Sequence, residues 1–340
     1  MSRPADRPHV LLLCGGRSAE HEVSLASARS LLAETSERVA WEPRVIDRDG
    51  RWLDADASLR RLAGEAGAGV GAPVDLEALG RVDAVFPLLH GPFGEDGRLQ
   101  GLFDVLDVRY VGSGVLGSAV GMDKLAMKAV LGAAGLPQVA FDGVTRDAWR
   151  REPDAVRVRL DALGWPVYVK PANLGSSIGI ARADDPSGRD EALDAAFAYD
   201  RRAIVERAFS DKRELEVAVL GLDDPEASVV GEISFASDFY DYATKYEAGR
   251  ARLHVPADVP ERVADACRAL ARRAFLAVDA AGLARVDLFW SPARDELVVN
   301  EINTMPGFTA TSMYPRLWAA SGVPYPDLAA RLVALAFRER

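Results

Sequence analysis

The chain has 340 residues, 49% of them hydrophobic and 27% charged, so it is long enough for two or three globular domains. A net charge of −10 without a basic run argues against binding to nucleic acid or to an anionic membrane surface, and no apolar segment is long enough to span a bilayer. The first apolar stretch is too short for a secretory signal, and Cys14 and Cys267 are too few for a disulfide framework or a zinc site. We therefore expect a cytoplasmic protein without nucleic-acid or membrane partners, whose two cysteines are buried and reduced.

The first third of the chain alternates strand patterns with helical patterns. Apolar strand-like runs occupy residues 10–14, 82–88 and 108–111, and helical patterns occupy residues 24–33 and 99–106. This alternation is typical of βαβ units, so we predict an α/β region with a mostly parallel sheet. Ligands are expected at the loops that follow its strands.

Two of these loops carry polar candidates. Gly15 and Gly16 form a turn, but the third glycine of a dinucleotide-binding motif is absent and Glu20 would repel a pyrophosphate, which disfavours nicotinamide binding. Glu20 either binds an ammonium ligand or is a first-turn carboxylate stabilised by the helix dipole, and the local sequence favours neither. His90 begins a loop with three glycines, where it either contacts a ligand or orients another group; we favour the second role.

The remaining elements predict an α+β organisation. In chain order they are a helix at 123–134, strands at 166–170 and 178–183, a helix at 190–197, a strand at 203–206, a hairpin at 214–235, a helix at 260–280, a second hairpin and a last helix at 326–338.

Residues 169–179 read as a strand, a small flexible loop and a second strand. Backbone amides of such a loop, which contains Ser176 and Ser177, bind phosphate oxygens while Lys170 from the preceding strand neutralises charge. The loop is not a Walker A loop, in which the lysine follows the glycines and opens a helix. We therefore interpret this loop as a glycine-rich lid that covers ATP rather than as an ordinary hairpin.

Lysine is rare in this chain. Only five of the 41 basic residues are lysines: Lys124, Lys128, Lys170, Lys212 and Lys245. Because arginine is otherwise preferred, the remaining lysines are expected where a compact, mobile ammonium is needed, and phosphate is the usual reason. We expect Lys128 and Lys212 to be surface residues without that role.

Residues 239–246 contain three of the eight tyrosines, together with Lys245, and follow neither a strand nor a helix period. Such a segment either closes over a site and excludes water or simply packs as a long loop. Lys245 and Tyr246 are therefore candidates for a lid.

The most informative segment is residues 284–303. Two strand-like runs flank a Ser-Pro-Ala-Arg-Asp turn and predict a hairpin. Since side chains alternate faces along a strand, Arg285 shares a face with Asp287, and Glu301 shares a face with Asn303. Carboxylates and phosphates are ligands that Mg²⁺ prefers, and a guanidinium suits an anionic substrate. The segment favours a site for ATP and Mg²⁺ over a solvated hairpin edge.

Several short motifs follow one another between about residues 10 and 338. They are Gly-Gly-Arg-Ser-Ala-Glu-His-Glu-Val-Ser-Leu, His-Gly-Pro-Phe-Gly-Glu-Asp-Gly, Tyr-Val-Gly-Ser-Gly-Val, Met-Asp-Lys, Val-Lys-Pro, Gly-Ser-Ser-Ile-Gly, Phe-Tyr-Asp-Tyr-Ala-Thr-Lys-Tyr and Asn-Glu-Ile-Asn-Thr-Met-Pro-Gly-Phe-Thr. In this order they resemble the D-alanine–D-alanine ligase family of the ATP-grasp superfamily.

The resemblance implies a fold and a reaction. It implies an ATP-grasp fold with an N-terminal Rossmann-like domain (1–112), a central ATP-grasp subdomain (113–206) and a C-terminal ATP-grasp subdomain (207–340). It also implies ATP-dependent ligation of two D-alanines through D-alanyl phosphate, for peptidoglycan precursors, by a homodimer.

The resemblance implies roles for individual residues as well. Expected at the ATP phosphates are Lys124, Lys170, Ser177 and Lys245, with Glu206 and Glu214 at the adenine and ribose. Expected to hold two Mg²⁺ or Mn²⁺ ions are Asp287, Glu301 and Asn303. Expected at the D-alanine substrates are Glu20 at the first ammonium, His90 beside it, and Ser312 and Met313 at the second carboxylate. Expected in catalysis are Arg285 and Gly307 at the oxyanion, and a hydrogen-bonded set of Glu20, Ser176 and Tyr246.

Two alternatives stay open. A ligase that takes D-lactate as its second substrate would lack the lid tyrosine, which is present here as Tyr246. A non-catalytic nucleotide-binding relative would have lost metal ligands or phosphate lysines, and this chain retains them. The D-alanine ligase is therefore the preferred interpretation.

Overall fold

The computed structural model describes residues 7–65, 67, 69, 71–175, 179–235 and 251–338. These residues form three sheets with helices packed around them. None of the helices they form is both long and apolar enough to cross a membrane.

The first sheet is parallel, which confirms the prediction from the alternating pattern. Its central strand β1 (His9–Gly15) lies between β2 (Ala40–Ile46) and β3 (Ala84–Pro87). Residues 10–14 of β1 are fully buried because the strand is covered on both faces. The helices of this region are α1 (His21–Thr35), α2 (Ala55–Leu62), α3 (Leu76–Leu79) and α4 (Arg98–Val105).

Two details of the first sheet differ from the prediction. The prediction of a strand at 108–111 is wrong, since these residues make only a single β-bridge, between Tyr110 and Val85. The edge strand β2 has no predicted counterpart, because Pro43 and charged residues interrupt its apolar pattern. An edge position tolerates a proline, since one side of the strand has no ladder partner.

Two helices follow the first sheet, α5 (Val115–Met122) and α6 (Lys124–Ala133). They meet at Asp123, whose side chain accepts the Ala126 amide at 2.9 Å and so caps α6. The predicted helix at 123–134 is thus confirmed, and it stops at Gly135, whose φ of +68° ends the helical path. Met127 of α6 packs into the core of the C-terminal sheet.

The central sheet has four antiparallel strands in the order β4-β7-β5-β6. Its elements are β4 (Phe141–Thr145), α7 (Arg146–Arg151), α8 (Pro153–Asp161), β5 (Val167–Pro171), β6 (Ala181–Ala183), α9 (Pro186–Ala196) and β7 (Arg202–Arg207). The strands predicted at 166–170 and 203–206 are confirmed as β5 and β7. The sheet has its own apolar core, with Val169 and Leu193 fully buried.

The C-terminal sheet has five antiparallel strands in the order β10-β9-β8-β11-β12. Its elements are β8 (Arg213–Gly221), β9 (Glu226–Phe235), β10 (Ala251–His254), α10 (Glu261–Ala277), β11 (Gly282–Ser291), β12 (Glu296–Asn303), α11 (Met313–Ala320) and α12 (Tyr325–Leu335). Both predicted hairpins are confirmed, as β8–β9 and β11–β12, and the predicted last two helices correspond to α10 and α12.

The first and C-terminal regions share a core. Residues of β1 and α1 pack in one cluster with Phe308, α11 and α12, whereas α10 covers the opposite face of the C-terminal sheet. Cys14 and Cys267 are both buried and unbonded, as expected, and burial raises the pKa of each thiol to about 12. Both cysteines are therefore inert parts of these cores.

Candidate active site

A cavity of about 360 Å³ lies where the three sheets meet. Every predicted site residue that the structure describes lines it: Glu20, His90, Lys124, Lys170, Glu206, Glu214, Arg285, Asp287, Glu301, Asn303, Gly307, Ser312 and Met313. The other four predicted residues, Ser176, Ser177, Lys245 and Tyr246, lie outside the described residues.

One side of the cavity is lined by Lys124, Lys170 and Glu206; together with the buried Lys128, which contacts Glu206 but does not line the cavity, they are here called the cationic wall. Glu206, on β7, is 4% exposed, and its two carboxylate oxygens contact Lys128 Nζ at 2.7 Å and Lys170 Nζ at 2.5 Å. Burial alone would raise the pKa of Glu206, but the two ammonium groups hold it well below its usual range. Glu206 is therefore a permanent anion between two cations.

The two lysines that face the cavity differ in their pKa. Burial would lower the pKa of Lys170, but Glu206 and Glu301 outweigh burial and raise it. For Lys124, burial dominates and lowers the pKa, although Glu301 opposes the shift. Lys124 is the first residue of α6, and its Nζ donates to the Leu174 carbonyl at 2.5 Å, at the base of the glycine loop. Both ammonium groups thus stand at the place where the sequence predicted a phosphate site.

The opposite side, here called the acidic wall, consists of Glu216, Arg285, Asp287 and Glu301. Arg285 Nε and Nη2 each donate to one oxygen of Asp287 at 2.6 Å, and Nε also lies 3.2 Å from Glu216. Burial opposes the charge of Arg285, but Asp287 and Glu216 raise its pKa well above the usual value. The predicted shared face of Arg285 and Asp287 is confirmed.

A bulge in β12 adds a side chain to this wall. Asp287 pairs with Glu301, but the next residue, Leu288, pairs with Val299, so Asn300 is the extra residue. Asn300 and Glu301 therefore both line the cavity, while Val299 stays in the core. Asn303 donates its amide to Asp287 at 3.1 Å from the other end of the strand.

The loops of the first sheet supply a third side. His90 is buried, and its Nδ1 lies 2.9 Å from the Met305 carbonyl, so Nδ1 carries the proton and Nε2 is an acceptor. Burial lowers the pKa of His90 and keeps the ring neutral. Nε2 has no hydrogen-bond partner among the described residues. His90 is thus held by Met305 with one nitrogen left for a ligand.

Two carboxylates accompany His90. Glu95 accepts the Gly91 amide at 2.9 Å through Oε1, and burial together with the charge of Glu20 raises its pKa to about 8. Glu20 reaches between two glycines: a Cβ at Gly91 would lie 2.9 Å from its Oε2, and one at Gly175 would lie 3.2 Å away. Glu20 therefore lies close to both the His90 loop and the glycine loop.

The segment after β12 is ordered by hydroxyl contacts. Ser312 precedes α11 as its N-cap, and its Oγ lies 2.7 Å from the Thr309 hydroxyl and 3.2 Å from the Thr309 amide. A Cβ at Gly307 would lie 3.3 Å from Ser312 Oγ, so the glycine keeps the chain close to this hydroxyl. Gly307, Ser312 and Met313 thus form one edge of the cavity.

The two lysines expected at the surface behave differently. Lys212 is exposed and pairs with Glu214 at 2.8 Å on the cavity rim, where its Nζ lies 4.0 Å from the Phe289 ring centre. For Lys128 the expectation is wrong, because its side chain is 1% exposed. It lies one helical turn after Lys124, and its anionic partner Glu206 comes from a distant strand, so no local pattern revealed its burial.

Sequence reasoning missed further residues of the site: Glu95, Lys128, Glu216, Phe289 and Asn300. Two of them had a usable signal. Adjacent polar residues in Val-Val-Asn-Glu-Ile-Asn break strand alternation and indicate a bulge at Asn300, and Glu216 is a single acid within the apolar run of β8.

The donor set of the acidic wall fits a hard cation. Asp287 and Glu301 are directly opposite each other across the hairpin, and Asn303 adjoins Asp287. Within the described part of the chain, no group of three or more His, Cys, Asp and Glu side chains forms a metal site by itself. Two carboxylates and an amide match an ion such as Mg²⁺, which completes its shell with phosphate and water oxygens.

The three sheets and the cleft between them have the ATP-grasp fold, the class that solved structures of related ligases share. The D-alanine-D-alanine ligase from Coxiella burnetii is 35% identical with a TM-score of 0.83 and covers 98% of this chain and 94% of that one. VanG D-Ala:D-Ser ligase from Enterococcus faecalis is 30% identical with a TM-score of 0.85, covering 97% and 99% of the two chains.

Sequence comparisons agree with the structural ones. The family model for the D-ala D-ala ligase N-terminus matches residues 9–113, and that for the D-ala D-ala ligase C-terminus matches residues 130–334. The D-alanine–D-alanine ligase of Deinococcus radiodurans is 52% identical over 335 residues, 97% of this chain and 99% of that protein. The chain belongs to the D-alanine–D-alanine ligase family.

Proposed function

We propose that this protein uses ATP to join two molecules of D-alanine into D-alanyl-D-alanine, for peptidoglycan precursor synthesis. The observation that carries the proposal is the single cavity in which a cationic wall, an acidic wall and the loops of Glu20 and His90 face one another. Membership of the ligase family, at 52% identity to a D-alanine–D-alanine ligase, supports the same reaction.

The nucleotide lies along the cationic wall in this proposal. Lys124 and Lys170, with Lys245 and Ser177, meet the phosphates, and Glu206 and Glu214 meet the adenine and ribose side. Because the chain carries a net charge of −10, a polyphosphate requires such local cations. The raised pKa of Lys170 supports its role as a fixed positive charge.

Asp287, Glu301 and Asn303 would hold two Mg²⁺ or Mn²⁺ ions on the acidic wall. Such ions would neutralise charge on the transferring phosphoryl group. Arg285 holds the Asp287 carboxylate in one orientation through its two hydrogen bonds.

A carboxylate is a poor acyl donor, so the γ-phosphoryl group of ATP is first transferred to the carboxylate of the first D-alanine, which gives D-alanyl phosphate and ADP. The deprotonated amine of the second D-alanine then attacks the acyl carbon, and inorganic phosphate leaves. Glu20 binds the ammonium of the first D-alanine, and His90 Nε2 accepts a hydrogen bond beside it. Ser312 and Met313 receive the carboxylate of the second D-alanine. Arg285 and the Gly307 backbone stabilise the oxyanion of the tetrahedral intermediate. Closure by Ser176 and Tyr246 with Glu20 keeps water from the acyl phosphate.

We propose a cytoplasmic homodimer of three domains, 1–112, 113–206 and 207–340, because ATP is the co-substrate and the contacting helices α4 and α5 expose apolar side chains for self-association. Val105 on α4 is 85% exposed, and Leu116 on α5 is 60% exposed. Exposed apolar side chains are available to a protein interface.

An assay of phosphate release from ATP and Mg²⁺ tests the reaction. The panel contains D-alanine, L-alanine, D-serine and D-lactate, and amide or ester products are identified by mass. We expect release that requires D-alanine and gives D-alanyl-D-alanine. Equal turnover with L-alanine would contradict the proposal, D-lactate ester as the main product would favour the depsipeptide ligase, and no turnover despite ATP binding would favour the non-catalytic relative.

A further inference from the structure

Lys128 is a buried charged residue that the reaction described above does not use. Its side chain is 1% exposed, and it belongs to α6, whose apolar residues pack in the core of the C-terminal sheet. It does not line the cavity, but its Nζ contacts Glu206, which does. Lys128 therefore reaches the ligand site through Glu206.

Shape alone does not explain an ammonium in this position. Removing an ammonium from water is unfavourable, and a methionine would fill the same space without that penalty. Glu206 also has a cationic partner without Lys128, because Lys170 contacts its other oxygen at 2.5 Å. The second ammonium must contribute something that the Glu206–Lys170 pair lacks.

The charge balance supplies the explanation. Glu206 and Lys170 alone form a neutral pair, whereas the triad with Lys128 carries one net positive charge on the side of the nucleotide. Lys128 also occupies Oε1 of Glu206, so the carboxylate meets Lys170 through Oε2 alone.

We propose that Lys128 is a positioning residue for ATP, which balances the charge of Glu206 so that Lys170 presents an uncompensated ammonium to the phosphates. The inference rests on the proposed function, in which Lys170 contacts ATP. It differs from a packing role in two measurable ways. A charge effect acts on ATP and ADP but spares adenosine, and it is reversed when the Glu206 charge is removed as well.

The experiment measures dissociation constants by calorimetry for ATP and ADP with Mg²⁺, and by competition for adenosine, in the full-length protein without amino acid. The variants are Lys128→Met, Lys170→Met, the double variant Lys128→Met/Glu206→Gln, and Lys212→Met as a matched control. Lys212 also pairs with a glutamate of the cavity lining, but its side chain is 29% exposed, against 1% for Lys128, so water screens its charge.

We expect Lys128→Met to weaken ATP and ADP binding about tenfold or more. This is the effect expected when one charge several ångströms from a phosphate is removed, at an effective dielectric constant of about 20. Adenosine affinity should be unchanged, and Lys212→Met should alter ATP affinity by less than about threefold. The double variant keeps one positive charge on Lys170. Its ratio of ATP affinity to adenosine affinity, in which any loss at the adenine side of Glu206 cancels, should therefore lie within about threefold of that of the unmodified protein.

Three results would overturn the inference: equal loss for adenosine and ATP, a double variant no better than Lys128→Met in the ratio of ATP to adenosine affinity, or no effect of Lys128→Met when Lys170→Met weakens ATP binding. If Lys170→Met itself leaves ATP binding unchanged, the proposed phosphate site fails and the inference fails with it. Should Lys128→Met not fold, the double variant decides alone, because it removes the carboxylate that contacts Lys170 and its ratio of ATP to adenosine affinity is predicted directly.

Discussion

The cationic and acidic walls of the cavity are built on the same plan with opposite signs. Three lysines surround one glutamate in the first, and three carboxylates surround one arginine in the second. In each wall the single residue of opposite charge, Glu206 or Arg285, contacts two of the like-charged residues. Glu206 and Arg285 are both mostly buried, and each forms ion pairs with two neighbours of opposite charge.

The comparison shows how a protein keeps like charges together near a ligand. A buried cluster of one sign would lose charge by protonation or deprotonation, because burial disfavours the charged forms. One opposite charge counteracts this for Lys170, whose pKa is raised although burial would lower it, because Glu206 is in contact with it. Each wall thus keeps an excess of one charge, which in the proposed reaction faces phosphates on the cationic side and cations on the acidic side.

The largest expected effect comes from removing a majority charge of the acidic wall. Glu301→Gln keeps the shape of the side chain, and turnover should fall by roughly 10²–10³-fold, the loss seen when one group that stabilises transition-state charge is removed. Rates are measured as ADP release with saturating ATP, Mg²⁺ and D-alanine.

A matched control for this variant lies on the same strand. Glu296→Gln changes an acid that is 50% exposed and pairs with Arg294, so turnover should stay within about twofold. The melting temperatures of both variants should match that of the unmodified protein. Near-normal turnover of Glu301→Gln would show that its charge does not serve the reaction.

A smaller effect concerns the one lysine of the cationic wall whose pKa is lowered. Burial lowers the pKa of Lys124, so this ammonium loses its proton at a lower pH than an exposed lysine does. Since only the charged form binds phosphate, the KM for ATP should rise on the alkaline side in the unmodified protein. In Lys124→Arg this rise should disappear, because a guanidinium stays charged. Identical profiles of KM against pH for the two proteins would mean that Lys124 does not titrate in this range.

The smallest effect tests Glu95, a carboxylate that has no cation in direct contact among the described residues. The pKa of Glu95 is raised to about 8, so its contribution to stability is present below the pKa of the unfolded chain, near 4.5, and is lost as pH rises through about 8. Glu95→Gln has no such loss. We therefore measure the melting temperature of Glu95→Gln minus that of the unmodified protein, and expect this difference to be larger at pH 9 than at pH 5. An equal difference at both pH values would contradict the raised pKa.

Local patterns predicted the strands and the hairpin of this molecule more fully than its charge pairs. The turn between Ser291 and Glu296 is encoded in adjacent residues, and so is the shared face of Arg285 and Asp287, because a strand alternates by geometry. The parallel first sheet followed from the alternation of strands and helices in the same way. The order of the short motifs along the chain then indicated a family resemblance, and this resemblance identified the cavity-lining residues, which no single motif could have assigned.

Burial and pairing of charges depend on chain segments far apart in sequence. The burial of Lys128 could not be predicted because its partner Glu206 lies near the end of β7, far from helix α6 in the sequence. Glu95 stood in a turn-rich loop with nothing local to indicate that its pKa is raised by burial and Glu20. The strand β2 was not predicted because an edge strand does not need the continuous apolar pattern that identifies central strands.

The bulge at Asn300 has a consequence for how densely a strand can carry ligands. A regular strand sends every second side chain to a given face, so four consecutive residues offer a surface only two functional groups. The extra residue lets residues 300–303 offer three, namely Asn300, Glu301 and Asn303, while Ile302 still faces the core. The hairpin thereby raises the number of oxygen donors per unit length of strand without lengthening the sheet. The same local insertion is a means of adding a coordinating group to an existing β-sheet scaffold without repacking its interior.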